Sequence, residues 1–252
     1  MKELFLDAWT VMNKELREIA ASRGGVRGGS LTVLLIGVLL GVLLPLESVL
    51  LGSSHSWLLV LWGWLPVFVV AIAVTDLIAG ERERHTLETL LASPLPDRAI
   101  LLGKVAAAVI YGWGVLLLCM AVGIITMALV QGAGVDQFYA PNLLIGVALL
   151  GFLAALLAAA ISALVCLRMA SARQAHQIVI LTVLSLFFVH VVGLPLLEHI
   201  LPDPWQNNVT HLLGALERPE TILIIASVLA ILGVALLWLA SSWFHRSRLN
   251  LD

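Results

Sequence analysis

The residues equipped for chemistry are few, and most of them stand together. Glu81, Arg82, Glu83, Arg84 and Glu88 crowd charges of both signs around His85, Thr86 and an apolar set of Leu87, Leu90 and Leu91. A short helix from about Arg82 to Ala92 would present both signs beside a Leu stripe, which suits docking on a partner and passing on a rigid-body movement. Contact of Arg82 and Arg84 with anionic lipid heads is the simpler use of the same charges. The remaining polar residues converge poorly. Glu47 and Asp76 fall at opposite ends of apolar runs, and Ser185 stands five residues from His190, off its face. No HExxH is present, and His55, His190, His199 and His211 lack the tight spacing of metal ligands. The run from Gly24 to Gly29 lacks the Lys-Ser/Thr ending of a phosphate loop. Cys119 and Cys166 sit in apolar runs and read as small packing residues.

The medium follows from composition. Of 252 residues, 61% are hydrophobic and only 12% charged, with a mean hydropathy of +1.04. So much apolar surface cannot be hidden inside one soluble core of this size, so the solvent is lipid. A membrane helix needs about 20 apolar residues. Six runs satisfy this, at 31–51, 57–76, 99–130, 143–167, 176–197 and 221–244, within one transmembrane domain over 1–252. Lys104 is expected to snorkel toward the inner surface. The expected fold is therefore an all-α integral membrane protein with six transmembrane helices. Thirteen of the fourteen basic residues gather on the side shared by both termini, and Arg218 alone stands opposite, which puts the termini in the cytoplasm.

Three segments outside the spans have helical patterns. Over 1–23, Phe5, Trp9, Met12, Leu16, Ile19 and Ala20 recur at helical spacing, with Lys14, Glu15, Arg17 and Glu18 on other faces. This is an amphipathic elbow helix, suited to lying in the cytoplasmic interface and turning into the first span at the glycines that follow. A cleaved signal peptide is not expected, because a charged segment precedes a first apolar run of full spanning length. Over 81–97 the charged helix is stopped by Pro94 and Pro96, and Asp97 is placed to cap the next one. Over 203–217, Asp203 and Pro204 start a short outer helix with Trp205, Val209, Leu212 and Leu216 on one face. Glu47 and His190, polar residues beside or within the spans, are candidates for a path in the outer half.

The stretch Gly80-Glu81-Arg82-Glu83-Arg84-His85-Thr86-Leu87-Glu88-Thr89-Leu90-Leu91-Ala92-Ser93-Pro94, followed by Gly103-Lys104, resembles the loop of permease subunits of ATP-binding-cassette exporters of the second export type. That family's pattern reads Gly-Glu-Arg-Glu-x-x-Thr-Leu-Glu-x-Leu-Leu-x-Ser-Pro, and its members begin with an interfacial elbow helix. His85 departs from the small residue that often precedes the Thr. The resemblance implies that Gly80, Glu81, Arg82, Glu83, Arg84, Thr86, Leu87, Glu88, Leu90 and Leu91 form a coupling helix seated on a separate ATPase subunit. It also implies that the helix at 203–217, with Trp205 and Leu212, is a gate at the exit of the path, and that the chain forms a homodimer, or a heterodimer with a related permease, in the cytoplasmic membrane of a prokaryote. No GxxxxGK[ST] occurs in the chain, so it is expected to bind no cofactor, with ATP and magnesium held by the partner, and no nucleic acid. The alternatives are an intramembrane enzyme and an ATP-independent transporter.

Overall fold

The computed structural model describes residues 2–21, 29–51, 55–81, 95–131, 141–169, 171–193, 196 and 219–243. Among these residues the chain is all helix, without strands. In chain order the elements are α1 (Lys2–Ala21), α2 (Gly29–Leu51), α3 (His55–Thr75), α4 (Asp97–Gln131), α5 (Pro141–Arg168), α6 (Ala172–Phe188) and α7 (Pro219–Trp243). Two of them continue into single π-helical turns, α3 through Asp76–Gly80 and α6 through Val189–Gly193. The charged helix expected near Arg82 to Ala92, the glycine corner at 24–28 and the outer helix at 203–217 lie outside the described residues.

Five helical stretches are long and apolar enough to cross a membrane: Val60–Gly80, Asp97–Val130, Leu144–Arg168, Ala172–Gly193 and Glu220–Trp243. The chain is thus a multi-pass membrane protein. The sixth expected span falls on α2, a 23-residue helix that is apolar along most of its length. At 1.5 Å per residue the 35 residues of α4 reach about 50 Å, well beyond a hydrocarbon core of about 30 Å. One end of α4 must therefore stand outside the lipid.

Helix α4 is the spine, with α1, α2, α3 and α5 packed along it, while α7 lies on α5 and α6 on α3. Because lipid tails are as apolar as Leu, burial of apolar surface gives little drive between such helices, and close approach of small residues does the holding. Accordingly α5 turns Ala155, Ala159 and Ala163 inward against Val70, Val74, Ile100 and Val105 of α3 and α4. Gly123 of α4 faces the buried ring of Trp62, where a Cβ would collide with the indole. Both cysteines are buried in this packing.

Hydroxyls facing so little water bond to their own helices. Thr75 Oγ1 donates to the Ala71 carbonyl at 2.7 Å, Thr126 to Val122 at 2.9 Å and Thr182 to Ile178 at 2.7 Å. Trp113 Nε1 instead donates to the Ala148 carbonyl at 2.9 Å, clipping α4 to α5. The turn from α5 to α6 is short because Ser171, extended at φ −123° and ψ 151°, caps α6 by accepting from the Gln174 amide.

Three sequence expectations are corrected here. Asp97 is the first helical residue of α4 rather than its cap; the carbonyl of Pro96 takes the Ala99 and Ile100 amides at 2.8 and 3.3 Å. The acidic side chain still favours the first turn, through the helix dipole. On α1 the buried face is Val11, Met12 and Glu15, whereas Phe5 and Trp9, assigned to the same stripe, are more than half exposed. Lys104 does not snorkel at all, for a reason given by its neighbours.

Candidate functional site

The base of the charged loop is closed by ions. Gly103 and Lys104 stand in the second turn of α4, where α1 crosses it. A Cβ at Gly103 would come within 2.7 Å of Val11 Cβ and 2.8 Å of the Ala8 carbonyl oxygen, so the missing side chain lets the two backbones meet. The next side chain, Lys104, is only 2% exposed. Its Nζ donates to Glu15 Oε1 of α1 at 3.0 Å and to Glu81 Oε1 at 2.6 Å. Glu15 is fully buried and Glu81 is 16% exposed at its side chain. Burial without partners would cost each of these ions dearly, so the ammonium stays inside because two carboxylates meet it there.

The cluster extends outward through Lys14, whose Nζ lies 3.6 Å from Glu15 Oε1 and 3.3 Å from Glu18 Oε1. Partial burial pulls the Lys14 ammonium down, but Glu15 and Glu18, together with the more distant Glu81, outweigh it and leave its pKa raised. Two carboxylates thus share the Lys104 ammonium, with Lys14 as the outer cation beside Glu15, and Glu15 Oε2 has no hydrogen-bond partner among the described residues.

The other residues singled out from sequence do not join this cluster. Of the charged loop, Gly80 closes the π-turn and Glu81 enters the triad; Arg82, Glu83, Arg84, Thr86, Leu87, Glu88, Leu90 and Leu91 lie outside the described residues. Glu47 is exposed on α2. His190, on the π-turn that ends α6, has its ring 5.9 Å from that of Trp64. Trp64 packs in turn edge-on against Phe187 at 5.7 Å. His190 and Trp64 border a cavity of about 620 Å³ between α3, α5, α6 and α7, lined mainly by aliphatic side chains with Ser162 and Thr182 among them. Glu47 is not part of that lining, and Trp205 and Leu212 lie outside the described residues.

Sequence reasoning missed Glu15 and Lys104 as site residues. The signal was present: Glu15 falls four positions after Val11 and three after Met12, on the same helical face, and a charge inside an apolar stripe demands a buried counter-ion.

Nothing in this geometry is a catalytic arrangement. It is a fastening between an amphipathic helix, the end of one apolar helix and the start of the next, at the base of a charged loop. A comparison with curated proteins finds no match, but the family model described as ABC-2 family transporter protein matches residues 60–217. The match runs from inside α3, through the charged loop and α4 to α6, across well over half of the 252 residues. The chain belongs to the ABC-2 transporter family, as a membrane permease component of an ATP-binding-cassette transporter.

Proposed function

We propose that this chain is the permease subunit of an ATP-binding-cassette exporter, coupling ATP hydrolysis by separate nucleotide-binding subunits to outward movement of a substrate. In this reading α2 is the first of six spans, α1 is the elbow helix in the cytoplasmic interface, and both termini are cytoplasmic. Two copies, or one copy and a related chain, enclose the path, with 203–217 as the helix at its outer mouth. Residues 81–97 dock on the ATPase subunit, which holds ATP and magnesium, while this chain binds no nucleotide. The host membrane is the cytoplasmic membrane of a prokaryote.

The observation that carries this reading is the 2.6 Å contact of Glu81 with Lys104. It ties the two stems of the charged loop to each other inside a chain of this family. A loop leaving and re-joining the helices at one fastened point delivers force to α3 and α4 together, as a docking element must. The segregation of basic residues to the same side supports the cytoplasmic location of that loop.

The test is co-expression with the ATPase subunit, purification of the complex and measurement of permease-dependent ATP hydrolysis. Reversal of charge at Arg82→Glu with Arg84→Glu is expected to abolish most of the stimulation, through lost complementarity at the docking surface. Absence of any complex, or stimulation untouched by the reversal, overturns the proposal.

A further inference from the structure

The inner triad joins three segments, not two, and the third is α1. Glu15 and Lys104 are 89 positions apart in sequence and Glu81 and Lys104 are 23 apart, yet one ammonium serves both carboxylates. We propose that Lys104 is a positioning residue that makes α1 part of the body moved by the charged loop, so that a push on residues 82–96 displaces α1, α3 and α4 as one. The function of that movement rests on the coupling reading above; the fastening itself does not.

Three features support the assignment. First, α1 runs along α4 through a contact centred on Gly103, and the triad is the ionic anchor within it. Phe5, Leu6 and Trp9 of α1 are exposed on the side away from the contact, and its packed side consists of Val11, Met12 and Glu15 around Gly103. Apolar contacts tolerate sliding, whereas an ammonium held at 3.0 and 2.6 Å does not. Second, the triad is poorly designed as a staple for stability alone. It draws two carboxylates onto one buried ammonium, and Glu15 Oε2 is left without a hydrogen-bond partner among the described residues. Apolar side chains of similar volume commonly serve stability as well or better, so a buried ionic cluster is better explained by position. Third, the triad stands at the stem of the loop, where a small displacement at the docking surface must be passed on before lipid-facing helices can respond.

The experiment uses the complex with the ATPase subunit in lipid nanodiscs, in a Cys119→Ala, Cys166→Ala background. Spin labels at Glu3→Cys on α1 and Arg98→Cys on α4 report the distance between the two helices, without nucleotide and after trapping with ATP, magnesium and vanadate. The expected wild-type result is one narrow distance that nucleotide does not change. A neutral triad of Glu15→Met, Glu81→Gln and Lys104→Met keeps the fold while removing the buried charges. It is expected to broaden the distance or make it nucleotide-dependent, and to lower permease-dependent ATP hydrolysis about tenfold, the scale of a modest coupling free energy. Lys104→Arg, which retains the charge, is expected to recover most of that hydrolysis.

A neutral triad with wild-type distances and wild-type stimulation overturns the proposal, and so does a wild-type distance that shifts with nucleotide. If the wild-type permease forms no complex with the ATPase subunit, the coupling reading fails. The permease alone in nanodiscs then still decides the fastening, by a narrow distance in the wild type and a broad one in the neutral triad.

Discussion

Replacing Gly103 with Ala should unfasten α1 while leaving the helix that bears the mutation intact. The new Cβ would lie 2.7 Å from Val11 Cβ and 2.8 Å from the Ala8 carbonyl oxygen, against a comfortable carbon separation of about 3.5–4.0 Å. Neither neighbour is the far end of a flexible side chain, so α1 has to withdraw by about 1 Å. Overpacking of this kind costs about 1–3 kcal/mol. Alanine favours the α4 helix by about 1 kcal/mol over glycine, but that gain is present whether α1 is docked or not, so it offers α1 no compensation. Withdrawal also stretches the 3.0 Å contact between Lys104 and Glu15 toward the limit of an ion pair. Hydrogen exchange followed segment by segment reads the effect. Amides of α1 should exchange roughly 5- to 150-fold faster, the factor equivalent to 1–3 kcal/mol, while those of α4 and α5 stay at wild-type protection. Because Glu15→Gln loosens the same contact, the double variant should cost less than the two single changes added together. Unchanged exchange in α1, or equal acceleration in α1 and α4, would refute the packing argument.

Two further outcomes follow from the ions and their placement. Lys104→Met alone strands Glu15 and Glu81 beside each other, and breaking a buried pair in this way costs about 3–5 kcal/mol; adding Glu15→Met and Glu81→Gln should return most of that loss in an unfolding titration in mixed micelles, and failure of the triple variant to recover would show that the cluster is needed for stability itself. For orientation, single cysteines at Glu3 and Asp136 in the cysteine-free background should respond oppositely to a membrane-impermeant maleimide on intact cells, with labelling at 136 and protection at 3; the reverse pattern would invert the topology drawn from the thirteen segregated basic residues.

Hydropathy made the spans readable because a lipid solvent imposes one requirement on twenty consecutive residues at a time. The charged loop was readable because Gly80 to Pro94 breaks that requirement so sharply. The fastening was not, and the reason is physical. Its members come from three distant segments, and each one alone has an innocent interpretation. Glu15 resembles one more surface charge of an amphipathic helix, and Lys104 resembles a lysine reaching for the lipid surface. Only the close crossing of α1 over Gly103 removes the water from both. The same limit applies to α1 as a whole. Periodicity predicts one apolar stripe, but α1 carries apolar residues on two sides, one packed on its neighbour and one exposed. Val11 and Met12 take the first, and Phe5, Leu6 and Trp9 the second.

The π-turn at Asp76–Gly80 shows how local irregularity serves that fastening. A π-turn accommodates one residue more than the α-helical turn it replaces. Since each residue advances an α-helix by about 100°, the extra one re-aims everything after it by roughly that angle. Glu81 is the first residue after this turn, and its carboxylate meets Lys104 at 2.6 Å. An unbroken α-helix from His55 onward would keep Ile78 and Ala79 near the core but carry Glu81 to another face. Ile78 and Ala79 are buried in the turn itself, so the register shift is taken up by backbone rather than by exposing apolar surface. Nothing in DLIAG announces such a turn, since each of its residues is acceptable in an ordinary helix. The irregularity is therefore imposed from outside the segment, by the helix packing on one side and the buried ammonium on the other. A tertiary demand has overridden the local preference of α3, and it has done so at the residue where the charged loop begins.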